Sequence, residues 1–337
     1  MKKTAIALVV LVAAVAIWWA LSFSASDYRL QPAQATFRNV TIATPDVRRL
    51  ADFYQATFDA QEVARQDWVP AQVSGEAVVL RTPGYGGDGP TLTLIPARRA
   101  ADPAPQASDD GYAHLCFETT DMRGVVGRLL AAGGTVSSVF EASERAPVLY
   151  ARDPDGNAVE MHIPLPAPFT PRTVYRTLDS LVRTWLGSSA PADDGVRFLH
   201  ANHNSPDWTR VAGFYRAVFA AGTVGAERDY DGDFIAELTG IPDVVVRGRH
   251  IEMPGYSPGG PTLEAFTYDR ATGRGPLAFG DAGVVAIGFE VHDIAATVAL
   301  MKEAGGGEVE RSDRAAIVRD PYGHLIQLRQ VQPPGTL

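Results

Sequence analysis

Two histidines of this sequence each precede an aspartate by the same number of residues. His114 precedes Asp121 by seven residues, and His200 precedes Asp207 by seven residues. An imidazole can carry protons near neutral pH or bind a divalent cation. The same interval recurs twice more, from Asn39 to Asp46 and from Ala286 to Asp293. The seven-residue interval therefore indicates a structural unit that occurs four times, with an imidazole available for proton transfer or metal binding in two of its copies.

Composition excludes several classes of protein. Cys116 is the only cysteine among 337 residues, which excludes an intrachain disulfide and cysteine-rich zinc or iron–sulfur sites. The net charge is −9, and the three lysines are Lys2, Lys3 and Lys302. Nucleic-acid affinity depends on basic side chains that neutralise phosphates, so we expect no nucleic-acid partner. Apolar residues make up 46% of the chain, enough for folded cores.

Internal similarity divides the chain into two halves with one plan. The segment Phe53–Phe58 (FYQATF) matches Phe214–Phe219 (FYRAVF), and each half contains an Asp-Pro-x-Gly turn, at Asp153–Gly156 and Asp320–Gly323. Within each half the order strand, helix, three strands occurs twice. The predicted opening strands are Phe37–Ala43, Tyr112–Thr119, Arg197–Asn204 and Val284–Val291. The predicted helices are Val47–Phe58, Met122–Ala132, Trp208–Phe219 and Ile294–Ala304. The pattern predicts an α+β fold of four βαβββ modules.

Residues 164–196 lie between the two halves of the chain, and we expect them to form a helical linker. The apolar spacing favours a helix from Pro171 to Leu186. One stripe of that helix consists of Val174, Leu178, Leu181, Val182 and Trp185. We expect this stripe to pack against the core.

The N-terminal residues 1–26 predict a membrane anchor or a signal peptide. Lys2 and Lys3 precede an apolar run from Ala5 to Phe23, and such a run can nearly span the ~30 Å hydrocarbon layer of a bilayer. The small residues Ser24–Ser26 would also suit cleavage after export. We expect either a chain anchored in the inner membrane and facing the periplasm, or one exported to the periplasm.

The four modules in register resemble the vicinal oxygen chelate superfamily. That superfamily includes glyoxalase I, extradiol dioxygenases and bleomycin-binding proteins. The resemblance rests on the strand-to-helix aspartates, the Phe-Tyr pairs and the motif Asp153–Glu160. It implies two domains of this superfamily, over residues 37–163 and 197–331, whose four modules form two cups.

The resemblance also implies where a metal would be held, because each module offers one donor in its first strand and one in its last. The four modules offer, in order, Asn39 and Thr93, His114 and Glu160, His200 and Glu264, Ala286 and Gln327. If each half closes on itself, both cups hold an incomplete set. If the middle two modules pair across the halves, one cup holds His114, Glu160, His200 and Glu264.

Two imidazoles and two carboxylates form a neutral site with one divalent ion, and Ni, Co, Zn, Mn or Fe(II) would all suit such donors. The resemblance implies a proton-shuttling role for one ligand glutamate, Glu264 or Glu160. Strand parity predicts further side chains on the same face as substrate-binding residues. These are Cys116, Glu118, Asn202, Asn204, Phe266 and His162.

The resemblance to individual activities is incomplete. Glyoxalase I carries glutathione-binding basic residues at positions that are Asn204 and Asp110 here. The extradiol dioxygenases carry a catalytic histidine that is absent from Val136–Val148. We therefore expect a metal-dependent lyase, isomerase or epimerase that acts on a small oxygen-rich molecule. A metal-free binding protein and, as a weaker expectation, a ring-cleaving dioxygenase remain alternatives, and a homodimer could also complete the cups.

Overall fold

The structure is a computed structural model of the chain. It describes residues 8–18, 30–31, 33–64, 66–98, 100–101, 104–136, 145–165, 169–186, 195–271 and 274–331. Two eight-stranded sheets and the helices packed on them account for most of the described residues. The fold is α+β, with the four βαβββ modules expected from the repeats.

The helices begin where the repeated aspartates predict. The first helix covers residues 8–18 (α1), and the others are α2 Val47–Phe58, α3 Met122–Ala131, α4 Pro171–Leu186, α5 Trp208–Phe219, α6 Asp233–Thr239 and α7 Ile294–Glu303. Asp46, Asp121, Asp207 and Asp293 are the N-caps of α2, α3, α5 and α7. Each carboxylate accepts a hydrogen bond from a backbone N–H of the first turn, which satisfies a donor that the helix cannot. The helix starts were therefore readable from sequence.

The strands of the first two modules are β1 Ala35–Thr44, β2 Gln61–Val63, β3 Val78–Arg81, β4 Thr91–Pro96, β5 His114–Thr119, β6 Thr135–Val136, β7 Val148–Arg152 and β8 Ala158–His162. Those of the last two modules are β9 Val196–Asn204, β10 Thr223–Tyr230, β11 Val246–Glu252, β12 Thr262–Tyr268, β13 Gly283–Val291, β14 Gly307–Arg311, β15 Ala315–Arg319 and β16 Leu325–Gln330.

The sheets combine modules from opposite halves of the chain. One sheet has the order β14-β15-β16-β13-β1-β4-β3-β2, and the other has the order β10-β11-β12-β9-β5-β8-β7-β6. The first and last modules meet through the antiparallel pair β1–β13, and the middle modules meet through β5–β9. The crossed pairing is thus the one that the structure adopts.

Aromatic stacks join the two modules of each half across the core. Phe58 of α2 stacks on Phe117 of β5 with ring centroids 4.1 Å apart. The equivalent rings of the second half, Phe219 and Phe289, lie 4.2 Å apart. Because both pairs are buried and link different sheets, they hold the sheets against each other.

The cup of the outer modules is closed by neutral side chains. Asn39 Oδ1 accepts hydrogen bonds from the hydroxyls of Thr91 and Thr93, at 2.9 and 2.7 Å. Gln327 donates through Nε2 to the carbonyl oxygen of Trp68, at 3.0 Å. The Trp68 ring lies so close to Gly288 that an added Cβ would come within 2.7 Å of it. The donors of the outer cup are therefore engaged in hydrogen bonds with neutral partners.

Helix α4 has the bounds expected from sequence but the opposite orientation. Its buried residues include Thr173, Arg176, Ser180 and Thr184. Three residues of the predicted core stripe face outward: Leu178, Val182 and Trp185 are 57%, 55% and 63% exposed. The expectation of core packing was wrong for these three, because Arg176 of the polar side forms a buried ion pair with Glu118. Val174 and Leu181 are half-buried, and Leu181 does pack against the core.

The N-terminal run is described in part. Residues 8–18 form the exposed helix α1, and the rest of residues 1–26 lies outside the described residues. Within the described ranges, we find no helix with both the length and the apolar character needed to cross a bilayer. The membrane anchor stays a prediction from the sequence.

Candidate metal centre

Four strands of one sheet bring the predicted donors together. His114 opens β5 and His200 lies in β9, and these strands are central neighbours in the sheet. Glu160 lies in β8, parallel to β5, and Glu264 lies in β12, parallel to β9. All four side chains are buried. Donor atoms of the four residues lie within 4.8 Å of one another, so the group could hold a metal ion.

The distances between donors match the edges of a coordination shell. His200 Nε2 lies 2.9 Å from Glu160 Oε2, and His114 Nε2 lies 3.2 Å from both Glu160 Oε2 and Glu264 Oε2. The Nε2 atoms of the two histidines are 3.4 Å apart. Two ligands each ~2.1 Å from an ion and at right angles would lie about 3 Å apart. The observed separations are of this size.

The hydrogen bonding of the group favours a cation at its centre. Among the described residues, the buried Oε2 atom of Glu264 has no hydrogen-bond partner, although two imidazoles lie near it. A buried carboxylate oxygen without a donor is costly, and a divalent ion would satisfy it. The residues present therefore fit a divalent metal.

Charge in the group points the same way. Burial lowers the pKa of His114, but the nearby carboxylates of Glu160 and Glu264 outweigh it and raise this pKa to about 9. Burial keeps the pKa of His200 below its ordinary value. Burial disfavours the ionised form of both carboxyl groups. The neighbouring imidazoles outweigh this effect and hold the pKa of Glu160 and of Glu264 below the ordinary range. An imidazole must lose its proton before its nitrogen can bind a metal, and the two carboxylates then leave excess negative charge that a divalent cation can neutralise.

A tyrosine and a histidine occupy equivalent places beside the donors. Tyr150 lies opposite Glu160 across β7 and β8, and its ring centroid is 5.1 Å from that of His114. His250 lies opposite Glu264 across β11 and β12, with its ring centroid 5.2 Å from that of His200. His250 Nε2 lies 3.3 Å from Glu264 Oε1. The two halves of the site are therefore alike, except that the residue opposite Glu264 is the imidazole of His250 and the residue opposite Glu160 is the phenol of Tyr150.

A cavity of about 790 Å³ reaches the centre at Glu160, His200 and Glu264. Its walls are largely apolar, with Leu199, Val224, Ile235, Leu238 and Met253 among the lining side chains. Binding pockets for small molecules typically combine such walls with a few polar groups. The arrangement can hold a molecule that presents oxygen atoms to the donors and carbon atoms to the walls.

Three of the six predicted pocket residues line this cavity. They are Glu118, His162 and Phe266. Both oxygens of Glu118 are occupied by arginines, with Oε2 2.8 Å from Arg197 Nη2 and Oε1 3.1 Å from Arg176 Nη2. Glu118 therefore anchors α4 and β9 at the cavity wall, while His162 and Phe266 present their rings there.

The other three predicted pocket residues lie elsewhere. Cys116 is fully buried beside Glu160, and burial raises the pKa of its thiol well above the ordinary value. Asn202 donates to the carbonyl oxygen of Glu264, and Asn204 donates to those of Ala107 and Asp109. These three side chains therefore lie outside the lining of the cavity, and Asn204 is paired instead with the backbone of Gly111.

Sequence reasoning missed several residues near the site. Arg197, Tyr150 and His250 line the cavity, and their cross-strand positions opposite predicted residues were the available signal. A second buried group, His203, Asp320 and His324, lies outside that cavity lining. Its His203 Nε2 and Asp320 Oδ2 atoms are 2.6 Å apart, and Asp320 Oδ1 accepts from the turn N–H groups of Tyr322 and His324. This second group thus closes the Asp-Pro-x-Gly turn.

Comparisons with known proteins agree with this architecture. Residues 39–162 match the model of the glyoxalase-like domain, and residues 197–328 match that of the glyoxalase/bleomycin resistance protein/dioxygenase superfamily. A search of curated proteins found no significant match.

Solved structures of similar fold include two proteins that are named as enzymes. Glyoxalase I from Zea mays superimposes with a TM-score of 0.55 at 14% identity, over 88% of this chain and 92% of that chain. A putative dioxygenase from Bacillus subtilis gives a TM-score of 0.53 at 16% identity, over 90% of this chain and 87% of that chain. At these identities the likeness concerns the fold. With a family match in each half, the chain belongs to the vicinal oxygen chelate superfamily, with two of its domains.

Proposed function

We propose that this protein is a metal-dependent enzyme of glyoxalase type, which moves a proton next to a carbonyl group of a small oxygen-bearing substrate. The observation that carries the proposal is the buried convergence of His114, His200, Glu160 and Glu264 at the end of an apolar cavity. The fold that the chain shares with glyoxalase I of Zea mays supports the reaction class.

The four donors would hold one divalent ion, with Ni, Co, Zn, Mn and Fe(II) as candidates. When bound, such an ion polarises a carbonyl oxygen of the substrate and so acidifies the neighbouring C–H bond. The walls of the cavity hold the carbon part of the substrate and exclude water. His162 and Phe266 present their rings to it from β8 and β12.

Glu264 is the residue that we assign to proton transfer. Its Oε2 atom faces the centre without a hydrogen-bond donor among the described residues, while its Oε1 atom lies 3.3 Å from His250 Nε2. An imidazole in that place can orient the carboxylate and take part in passing a proton toward the cavity. Glu160 instead lies opposite Tyr150, and within the described residues its imidazole neighbours are the two donor histidines themselves. Glu160 therefore stays a ligand and the second candidate for the shuttle.

Replacement of Glu264 by glutamine is expected to stop proton transfer while metal is retained. The amide oxygen can still face the ion, but it cannot accept the substrate proton, and the loss of a positioned base costs about 10²–10⁴-fold in rate. The measurement is hydrogen exchange with D2O, followed by NMR, at the carbon next to the carbonyl of α-hydroxyketones offered to the metal-loaded full chain.

Glu237→Gln on the exposed side of α6 is the matched control and should leave the exchange rate unchanged. Exchange that survives in Glu264→Gln but disappears in Glu160→Gln would move the shuttle to Glu160. Saturable binding of the same compounds by chain without metal, and no exchange with metal, would contradict the enzyme and favour a binding protein.

A further inference from the structure

Helix α4 is amphipathic, and it turns its polar side toward the protein. Arg176 lies in a buried ion pair with Glu118, and Ser180 and Thr184 are buried beside it. Leu178, Val182 and Trp185 face outward. Exposed apolar surface of this kind is unfavourable in water, and contiguous patches of it mark contact sites.

The outward face of α4 adjoins the mouth of the metal cavity. Thr177 and Leu181 of the same helix line the cavity. So do Leu165 and Phe234, whose side chains are 57% and 51% exposed. We call Leu165, Leu178, Val182, Trp185 and Phe234 the apolar lip.

The N-terminal segment joins the body of the protein at the same mouth. Leu30 pairs with Tyr256, and Gln31 N donates to Gly255 O at 2.8 Å. Tyr256 is itself a lining residue of the cavity. The apolar run Ala5–Phe23 ends seven residues before Leu30, a stretch that spans at most about 25 Å when extended. A membrane that holds this run therefore lies within reach of the cavity mouth.

We propose that the apolar lip rests on a lipid bilayer, so that the metal cavity opens toward the membrane and takes an amphipathic substrate. The substrate would present its oxygen-bearing head to the metal centre and its hydrocarbon part to the apolar walls and the lip. Tryptophan and leucine on the outward face of a helix are typical of surfaces that lie in the bilayer interface. The docking rests on the predicted N-terminal anchor, and the substrate class rests on the proposed metal function.

The docking is tested on the full chain reconstituted into vesicles of phosphatidylcholine and phosphatidylglycerol that contain nitroxide-labelled acyl chains. A Trp185→Cys variant carries a fluorophore on the lip, and a Glu303→Cys variant carries it on the exposed side of α7, which packs on the other sheet. The native Cys116 is buried and does not compete for the label. We expect the fluorescence to be quenched at position 185 and retained at position 303.

Equal quenching at both positions, or none at either, would overturn the docking. A disulfide that joins two unlabelled chains of the Trp185→Cys variant, without quenching in the labelled one, would assign the lip to a second copy instead. The metal content of the same samples is measured separately. Absence of bound metal would count against the proposed function, whereas the quenching pattern alone decides the docking.

The substrate class is tested by the D2O exchange assay with a long-chain alkyl α-hydroxyketone and its short-chain counterpart. We expect a higher kcat/KM for the long-chain compound. A preference for the short-chain compound would overturn the amphipathic assignment. If neither compound exchanges hydrogen while the fluorescence at position 185 is quenched, both the substrate class and the proposed metal function are wrong. The docking of the apolar lip on the membrane would still be supported by that result.

Discussion

Replacement of either His114 or His200 by alanine is expected to abolish stoichiometric binding of divalent metal. The two residues come from different halves of the chain, but their Nε2 atoms lie 3.4 Å apart in one buried group. Loss of a group that merely orients a ligand costs 10–100-fold in metal affinity, so loss of a ligand should cost more than about 100-fold. The measurement is metal per chain after dialysis, by plasma mass spectrometry.

The exposed His292 provides the matched control, and His292→Ala should bind metal as the parent chain does. Thermal unfolding of each variant checks that the fold is retained. Retention of one metal per chain by one histidine variant, with loss in the other, would mean that the two imidazoles do not share an ion.

Replacement of Glu118 by glutamine is expected to destabilise the protein by about 3–5 kcal/mol. The change removes the buried carboxylate that faces the guanidinium groups of Arg197 and Arg176, and breaking a buried ion pair on one side has a cost of this order. Glu62→Gln is the control, because its pair with Arg48 is largely exposed and its loss should change the stability far less. The measurement is the free energy of unfolding from urea titration.

The stability of the parent chain and that of Glu118→Gln should depend differently on pH. Burial opposes ionisation of Glu118, but the charges of Arg197 and Arg176 outweigh it and lower the pKa of this carboxyl below its ordinary 4.5. A carboxyl whose pKa is lower in the folded state stabilises the protein above the unfolded-state pKa. That contribution is lost as the pH falls from 4.5 through the lower folded-state pKa. The parent chain should lose stability in this range, and Glu118→Gln should lose less.

Local features of the fold were accessible to sequence reasoning. The four helix starts follow from aspartates whose side chains cap the first turn, an interaction that depends on a few neighbouring residues. The metal donors were accessible because equivalent modules place equivalent side chains, so His114 and His200 could be found by counting back from Asp121 and Asp207.

Long-range features were less accessible. The pairing of β5 with β9 rather than within a half depends on which sheet edges meet, and the repeats are compatible with both arrangements. Helix α4 was oriented wrongly because the apolar stripe suggested the core side. Its orientation is set by Glu118, which lies 58 positions away from Arg176 in sequence and offers a buried anion to it.

Strand parity gave a mixed result for the pocket. Phe266 and His162 each lie two residues from a donor on the same strand, and both line the cavity. Asn202 and Asn204 lie outside that lining and donate to backbone carbonyl oxygens, which the face of a strand does not predict. A register shift between Cys116 and Phe117 further alters the alternation near the centre.

X-ray absorption at the edge of the bound metal tests the central claim most directly. For the purified full chain, the account predicts nitrogen and oxygen ligands alone, with the outer-shell scattering of two imidazoles. The spectrum of His200→Ala reconstituted with excess metal should show one imidazole or no bound ion. Sulfur in the first shell, or two imidazoles that persist in His200→Ala, would contradict a centre shared by the middle two modules.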